Sequence, residues 1–171
     1  MGEPFVHRLR VRYAECDPQG VLFNANYLAY VDHTITELWR AAYGGYTNML
    51  DRGVDIVVAE ASLRFLGSAR FDEELAIEAL VTRIGNTSLT TGYRFLRGHD
   101  VLLEATMRHV FVDRATAIKT RIPDWARAGL APWCLPEPDT DPAPEPDTDP
   151  APDPDTDPAP DPETDPARAA T

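Results

Sequence analysis

Asp17 stands in the loop Ala14-Glu15-Cys16-Asp17-Pro18-Gln19-Gly20, a few residues ahead of a segment with helical spacing. The free amides at the start of a helix carry partial positive charge and can hold an oxyanion. A carboxylate beside such donors is equipped for acyl transfer, as nucleophile or as general base. An Asp before Pro in a Gly-containing loop also has an ordinary reading as a turn residue, and local chemistry leaves both open. Other chemistry finds less support. Asp32 and His33 are adjacent, so on a helix they point to different faces and read as a solvated surface. His7 and His109 fall on the apolar sides of their strands, as core or interface residues, and His99 lies in a turn. No group of His, Cys, Asp and Glu has metal-ligand spacing, so no metal or other cofactor is expected. Neither a Gly-x-Ser-x-Gly elbow nor a Gly-rich phosphate loop occurs.

The elements that must hold Asp17 follow from periodicity. Phe5, His7, Leu9 and Val11 alternate with Val6, Arg8, Arg10 and Arg12, which predicts a strand over Phe5–Tyr13 with one covered face. From about Asn24 to Tyr43, Leu28, Val31, Ile35, Leu38, Trp39 and Ala42 recur at spacings of three and four, the pattern of an amphipathic helix. Asn24 or Asn26 can serve as its N-cap, and Gly44-Gly45 ends it. The rest reads as strands: Val54 through Phe65, Leu75 through Thr82, Ser88 through Phe95 and Val101 through Val112. Gly85-Asn86 and Gly98-His99 mark tight hairpins between the last three. The expected order is strand, helix, then four strands in an antiparallel meander. That predicts an α+β domain, one curved antiparallel sheet of about five strands wrapped around a long central helix.

The run Tyr13-Ala-Glu-Cys-Asp17-Pro-Gln-Gly20-Val-Leu-Phe23-Asn24-Ala-Asn26-Tyr27 resembles the signature of the 4-hydroxybenzoyl-CoA thioesterase family. The stretch Ser62 to Leu75 and the ending Arg121-Ile122-Pro123 are similar to it as well. The resemblance covers about residues 5–125 with its motifs in the same order. It implies a hotdog fold, a dimer with the two sheets joined edge to edge, and dimers paired into tetramers. It implies hydrolysis of an acyl-CoA or acyl-carrier thioester with Asp17 as the catalytic carboxylate. Backbone amides near Phe23 and Asn24 would polarise the thioester carbonyl, Gly20 would let the loop pass close to the substrate, and Tyr13, Asn26 and Tyr27 would shape the site. Many members have His where Asn24 stands, a change expected to alter pocket polarity more than chemistry. Arg64 and Arg70 flank a Gly-containing turn and either pair with CoA phosphates or lie exposed in solvent. The alternatives are a non-catalytic acyl-thioester-binding protein and a dehydratase of the same fold, whose loop His paired with a helix acid is not visible here.

Composition sets the remaining bounds. Pro136 opens a segment with twelve of the sixteen prolines, and twelve acidic residues against the single Arg168. That segment carries −11 of the chain's net −12, so residues 1–135 are nearly neutral; phosphate repels so acidic a tail, and no nucleic-acid partner is expected. Its octapeptide EPDTDPAP recurs with small changes to residue 168 and contains nothing large and apolar to bury. We therefore expect one domain over 1–135 and a disordered, acidic, Pro-rich tail over 136–171, solubilising or able to dock a basic partner. Two distant cysteines suit a reducing compartment. Without a signal peptide or a long apolar run, the expected place is the cytoplasm, off the membrane.

Overall fold

The computed structural model describes residues 2–135; the acidic repeat segment expected over 136–171 lies outside the described residues. In chain order the elements are β1 (Phe5–Arg10), a 3-10 turn (Tyr13–Glu15), α1 (Asn24–Tyr43), α2 (Tyr46–Asp51), β2 (Val54–Phe65), β3 (Glu74–Ile84), β4 (Ser88–Arg97), β5 (Asp100–Asp113), α3 (Asp124–Leu130) and a second 3-10 turn (Ala131–Trp133). α1 buries Tyr27, Tyr30, Val31, Thr34, Ile35, Leu38 and Trp39, a stripe at spacings of three and four. It covers the alternate residues of the sheet that face it, among them Ile77, Ala79 and Val81 of β3, Thr91, Tyr93 and Phe95 of β4, and Leu103, Met107 and Phe111 of β5. Val31, Ile35 and Leu38 are wholly buried, and each such side chain contributes about 1.5–3 kcal/mol on leaving water. Gly44, at φ 79°, closes the helix and donates its N–H to Arg40 O.

The strands form one antiparallel sheet in the order β1-β3-β4-β5-β2. The hairpins β3-β4 and β4-β5 are those expected from their glycine turns. The four-strand meander is not formed: β2 pairs with β5 at the far edge, and β3 pairs with β1. The crossing is made after Phe65, where the amides of Leu66 and Gly67 both donate to Leu102 O, and the chain then runs to the other end of the sheet. Strand periodicity reports which face a residue lies on, and says nothing of which neighbour a strand takes. The short helices α2 and α3, read as strand or loop from the sequence, pack on α1; Tyr43 OH reaches Ala126 O at 3.1 Å. Among the described residues no helix is long and apolar enough to cross a membrane.

Candidate active site at the start of helix α1

β1 and the first 3-10 turn deliver the chain into a tight turn at Asp17. Gly20 N–H donates to Asp17 O, and Asp17 N–H to Val21 O, both at 2.9 Å. Gly20 sits at φ 75°, a left-handed conformation that an added Cβ would strain; the glycine is required by the turn itself. The half-buried Asp17 carboxylate accepts the Gln19 amide on Oδ1 at 2.8 Å and the Val21 amide on the same oxygen at 3.4 Å. Its other oxygen, Oδ2, has no hydrogen bond among the described residues. One oxygen therefore builds the turn, as the ordinary reading of an Asp before Pro expects.

The helix begins in an unusual way. Its N-cap is Phe23, extended at φ −61° and ψ 135°, with no side chain capping the first turn. Neither Asn24 nor Asn26 plays the cap expected of them. Asn24 is already the first helical residue, and Asn26 Nδ2 donates back to Glu15 O at 2.8 Å. The Phe23 amide, expected as an oxyanion donor, is taken by the same Glu15 carbonyl at 2.9 Å. The amides of Asn24 and Ala25 are left without a partner among the described residues. An Asp or Ser cap would have consumed one of the first-turn donors; Phe23 leaves them open.

A strap from β2 to β3 closes one side. Leu22 N–H donates to Ala69 O at 2.8 Å, Ala69 N–H donates to Tyr27 OH at 3.0 Å, and Val21 bridges to Arg70. Tyr27 is buried beneath this strap, against Phe65 and Phe95. Tyr13 stands outside it, 79% exposed and edge-on to Phe71. Phe23, Phe65, Leu66 and Phe71 complete an exposed apolar rim. The two arginines part company. Arg70 lies in the strap and makes no ion pair among the described residues. Arg64 alternates with Phe65 to the opposite face of the sheet and pairs with Glu104 at 3.4 Å.

Three residues that sequence reasoning passed over hold this region. The Glu15 carboxylate is buried and accepts the Arg12 amide at 2.8 Å, Arg12 Nε at 3.0 Å, and the Tyr30 hydroxyl. Burial pushes the Glu15 pKa up, but the bonds from Arg12 and Tyr30 outweigh it and hold the carboxyl below its ordinary range. Burial and the Glu15 contact push the Tyr30 phenol up. The signal was present as Glu three residues after Arg12, the spacing of a capping box. Elsewhere, His33 is exposed on α1 as expected but lies ring to ring with His7, centroids 4.7 Å apart. No group of three or more metal-ligating side chains occurs among the described residues.

Residues 19–104 match the family model of the thioesterase superfamily. The chain is 30% identical over 106 residues to the acyl-CoA thioester hydrolase YbgC of Escherichia coli O6:H1, covering 61% of this chain and 79% of that one. Among solved structures, a hypothetical protein of Thermus thermophilus superposes with a TM-score of 0.69 at 29% identity, over 75% of this chain and 98% of that one. A thioesterase superfamily protein of Jannaschia sp. CCS1 reaches 0.74 at 21% identity, over 78% and 94%. These matches reach the superfamily, and not the narrower 4-hydroxybenzoyl-CoA group that the motifs resemble. With the family model matched over half of its length, from Gln19 to Glu104, the chain belongs to the thioesterase superfamily.

Proposed function

We propose that this protein hydrolyses acyl-CoA-type thioesters, with Asp17 as the working carboxylate and the first amides of α1 as oxyanion donors. The observation that carries the reading is a half-buried carboxylate, one oxygen unengaged, on the loop that leads into the unpartnered amides of Asn24 and Ala25. A thioester carbonyl held by those amides would gain positive polarisation at carbon, and the developing oxyanion would be stabilised where it forms. Asp17 then either attacks that carbon, expelling the thiolate and leaving an anhydride for water to open, or takes a proton from an attacking water. Both routes consume one water and yield a free acid and a thiol. Arg70 is placed to meet a phosphate of the carrier. The relatives' names point to acyl-CoA, and the aromatic rim of Phe23, Phe65 and Phe71 suits an aromatic or apolar acyl group, in line with the narrower motif resemblance.

A second copy of the chain fits this reading. β2 is a twelve-residue edge strand whose helix-facing side is left partly uncovered, with Val58 54% and Phe65 50% exposed. Exposed apolar edges invite pairing; a partner strand along β2 would bury Val58 and wall the open side of the site. We place the homodimer in the cytoplasm.

The test is thiol release from a panel of acyl-CoAs varied in chain length and aromaticity, for the wild type and Asp17→Asn. Loss of a nucleophile or general base lowers turnover about a hundredfold or more, while acyl-CoA binding by calorimetry stays near the wild-type value. An Asp17→Asn protein that folds and keeps most of its turnover refutes the assignment and favours a non-catalytic acyl-thioester-binding role.

A further inference from the structure

Asp17 and the open amides belong to different parts of the chain: Asp17 rides on the loop after β1, and Asn24 and Ala25 ride on the body of α1. Glu15 joins the two. Its carbonyl grips the helix start at two points, the Phe23 amide at 2.9 Å and Asn26 Nδ2 at 2.8 Å. Its carboxylate reaches Tyr30, four residues past Asn26 on α1, and at the same time the amide and guanidinium of Arg12, two residues beyond β1. Two residues later comes Asp17. Any motion of the loop relative to the helix must break one of these bonds.

We propose that Glu15 is a positioning residue, the brace that sets the placement of Asp17 against the Asn24 amide; this rests on the thioesterase reading above. The ion pair with Arg12 keeps a buried carboxylate ionised, and an ionised acceptor makes stronger hydrogen bonds than a neutral one. With the hydroxyl of Tyr30 removed, the loop keeps Arg12 but loses its tie to the helix body. With the carboxylate removed, both ties go, while the backbone bond from Phe23 survives only as well as the loop stays in place. The brace also accounts for the bare N-cap. A side-chain cap would order the helix start but occupy a donor, whereas Glu15 orders it from outside the first turn.

The experiment compares Glu15→Ala, Glu15→Gln and Tyr30→Phe with the wild type, by steady-state thiol release and by amide hydrogen exchange. Small misplacements of reacting groups are costly, so kcat should fall about a hundredfold in Glu15→Ala and about tenfold in Tyr30→Phe, with KM within about twofold. Glu15→Gln keeps an oxygen that can accept from Tyr30 and Arg12 and should recover at least half of the loss on a logarithmic scale. Exchange at the Phe23 amide should quicken by about tenfold in Glu15→Ala, with the core amides of Phe95 and Leu103 unchanged. Unchanged exchange at Phe23, a loss carried by KM, kcat preserved in both Glu15→Ala and Tyr30→Phe, or a Gln variant no better than Ala each overturns the proposal. A wild type that releases thiol from no acyl-CoA defeats the hydrolase reading instead, and the Phe23 exchange still reports whether Glu15 braces the loop. If Glu15→Ala fails to fold, Tyr30→Phe, which leaves the Arg12 pair intact, decides the matter by the same readouts.

Discussion

Acid should find a specific weak point in this fold at His109. It lies on β5 under α1, 1% exposed, edge-on to Trp39 with ring centroids 5.6 Å apart. Its Nδ1 has no hydrogen-bond partner among the described residues. Burial alone pushes its pKa down to about 4. The unfolded chain takes up the same proton near the ordinary value of about 6.5. Above that value His109 is neutral in both states and its contribution to stability is complete. Below it the unfolded state gains a proton that the folded state refuses. Stability then falls by up to about 1.4 kcal/mol per pH unit until the folded pKa is reached. Over the whole window the loss is about 3 kcal/mol, a sizeable share of the roughly 5–15 kcal/mol that holds a domain. The assay is urea unfolding of the wild type and His109→Gln at several values from pH 8 to pH 4.5. Gln is polar and close in size but does not titrate. It should start less stable, and the gap should close by about 2 kcal/mol between pH 7 and pH 4.5. His7, also lowered by burial and by His33, is common to both proteins and cancels. Parallel stability curves would refute the reasoning, because His109 would then take its proton equally well folded and unfolded.

Val58→Lys places a charge on the uncovered side of β2, where the side chain is 54% exposed. The single chain should fold with a melting temperature within a few degrees of the wild type, while light scattering shows a shift from dimer to monomer; a mutant that remains dimeric would move the interface elsewhere. Gly20→Ala should cost about 1 kcal/mol in chemical unfolding, because alanine is strained at φ 75°. It should also lower turnover with Asp17 displaced, and an unaltered kcat would separate the turn from the chemistry. A chain ending at Leu135 should keep the melting temperature, oligomeric state and turnover of the full chain, since the segment beyond it offers no large apolar side chain to bury; a collapse in melting temperature would count against that.

What the sequence by itself determined is local. The stripe Val31, Ile35, Leu38 names a helix because residues three and four apart share a face, and the alternation of Leu75 to Val81 or Leu89 to Phe95 names strands for the corresponding reason. The glycines after β3 and β4 mark hairpins because few other residues turn so tightly. The Asp17 loop stood out through the family signature that its residues resemble, since local chemistry alone left it open as a turn. What the tertiary structure alone decided is which groups end up facing one another across long separations in the chain. Periodicity carried β2 to the correct face but could not choose β5 as its neighbour over β3. Spacing put Arg64 near Arg70, but strand alternation at Phe65 turned it to the opposite side of the sheet. The family resemblance made the Phe23 amide a candidate donor, but the carbonyl of Glu15, eight residues back, takes it. Glu15 showed no role in the sequence, because the Tyr30 hydroxyl that holds it lies fifteen residues on. A propensity is a property of neighbours in sequence; the occupancy of a hydrogen-bond donor is a property of neighbours in space, and only the packed chain brings those together.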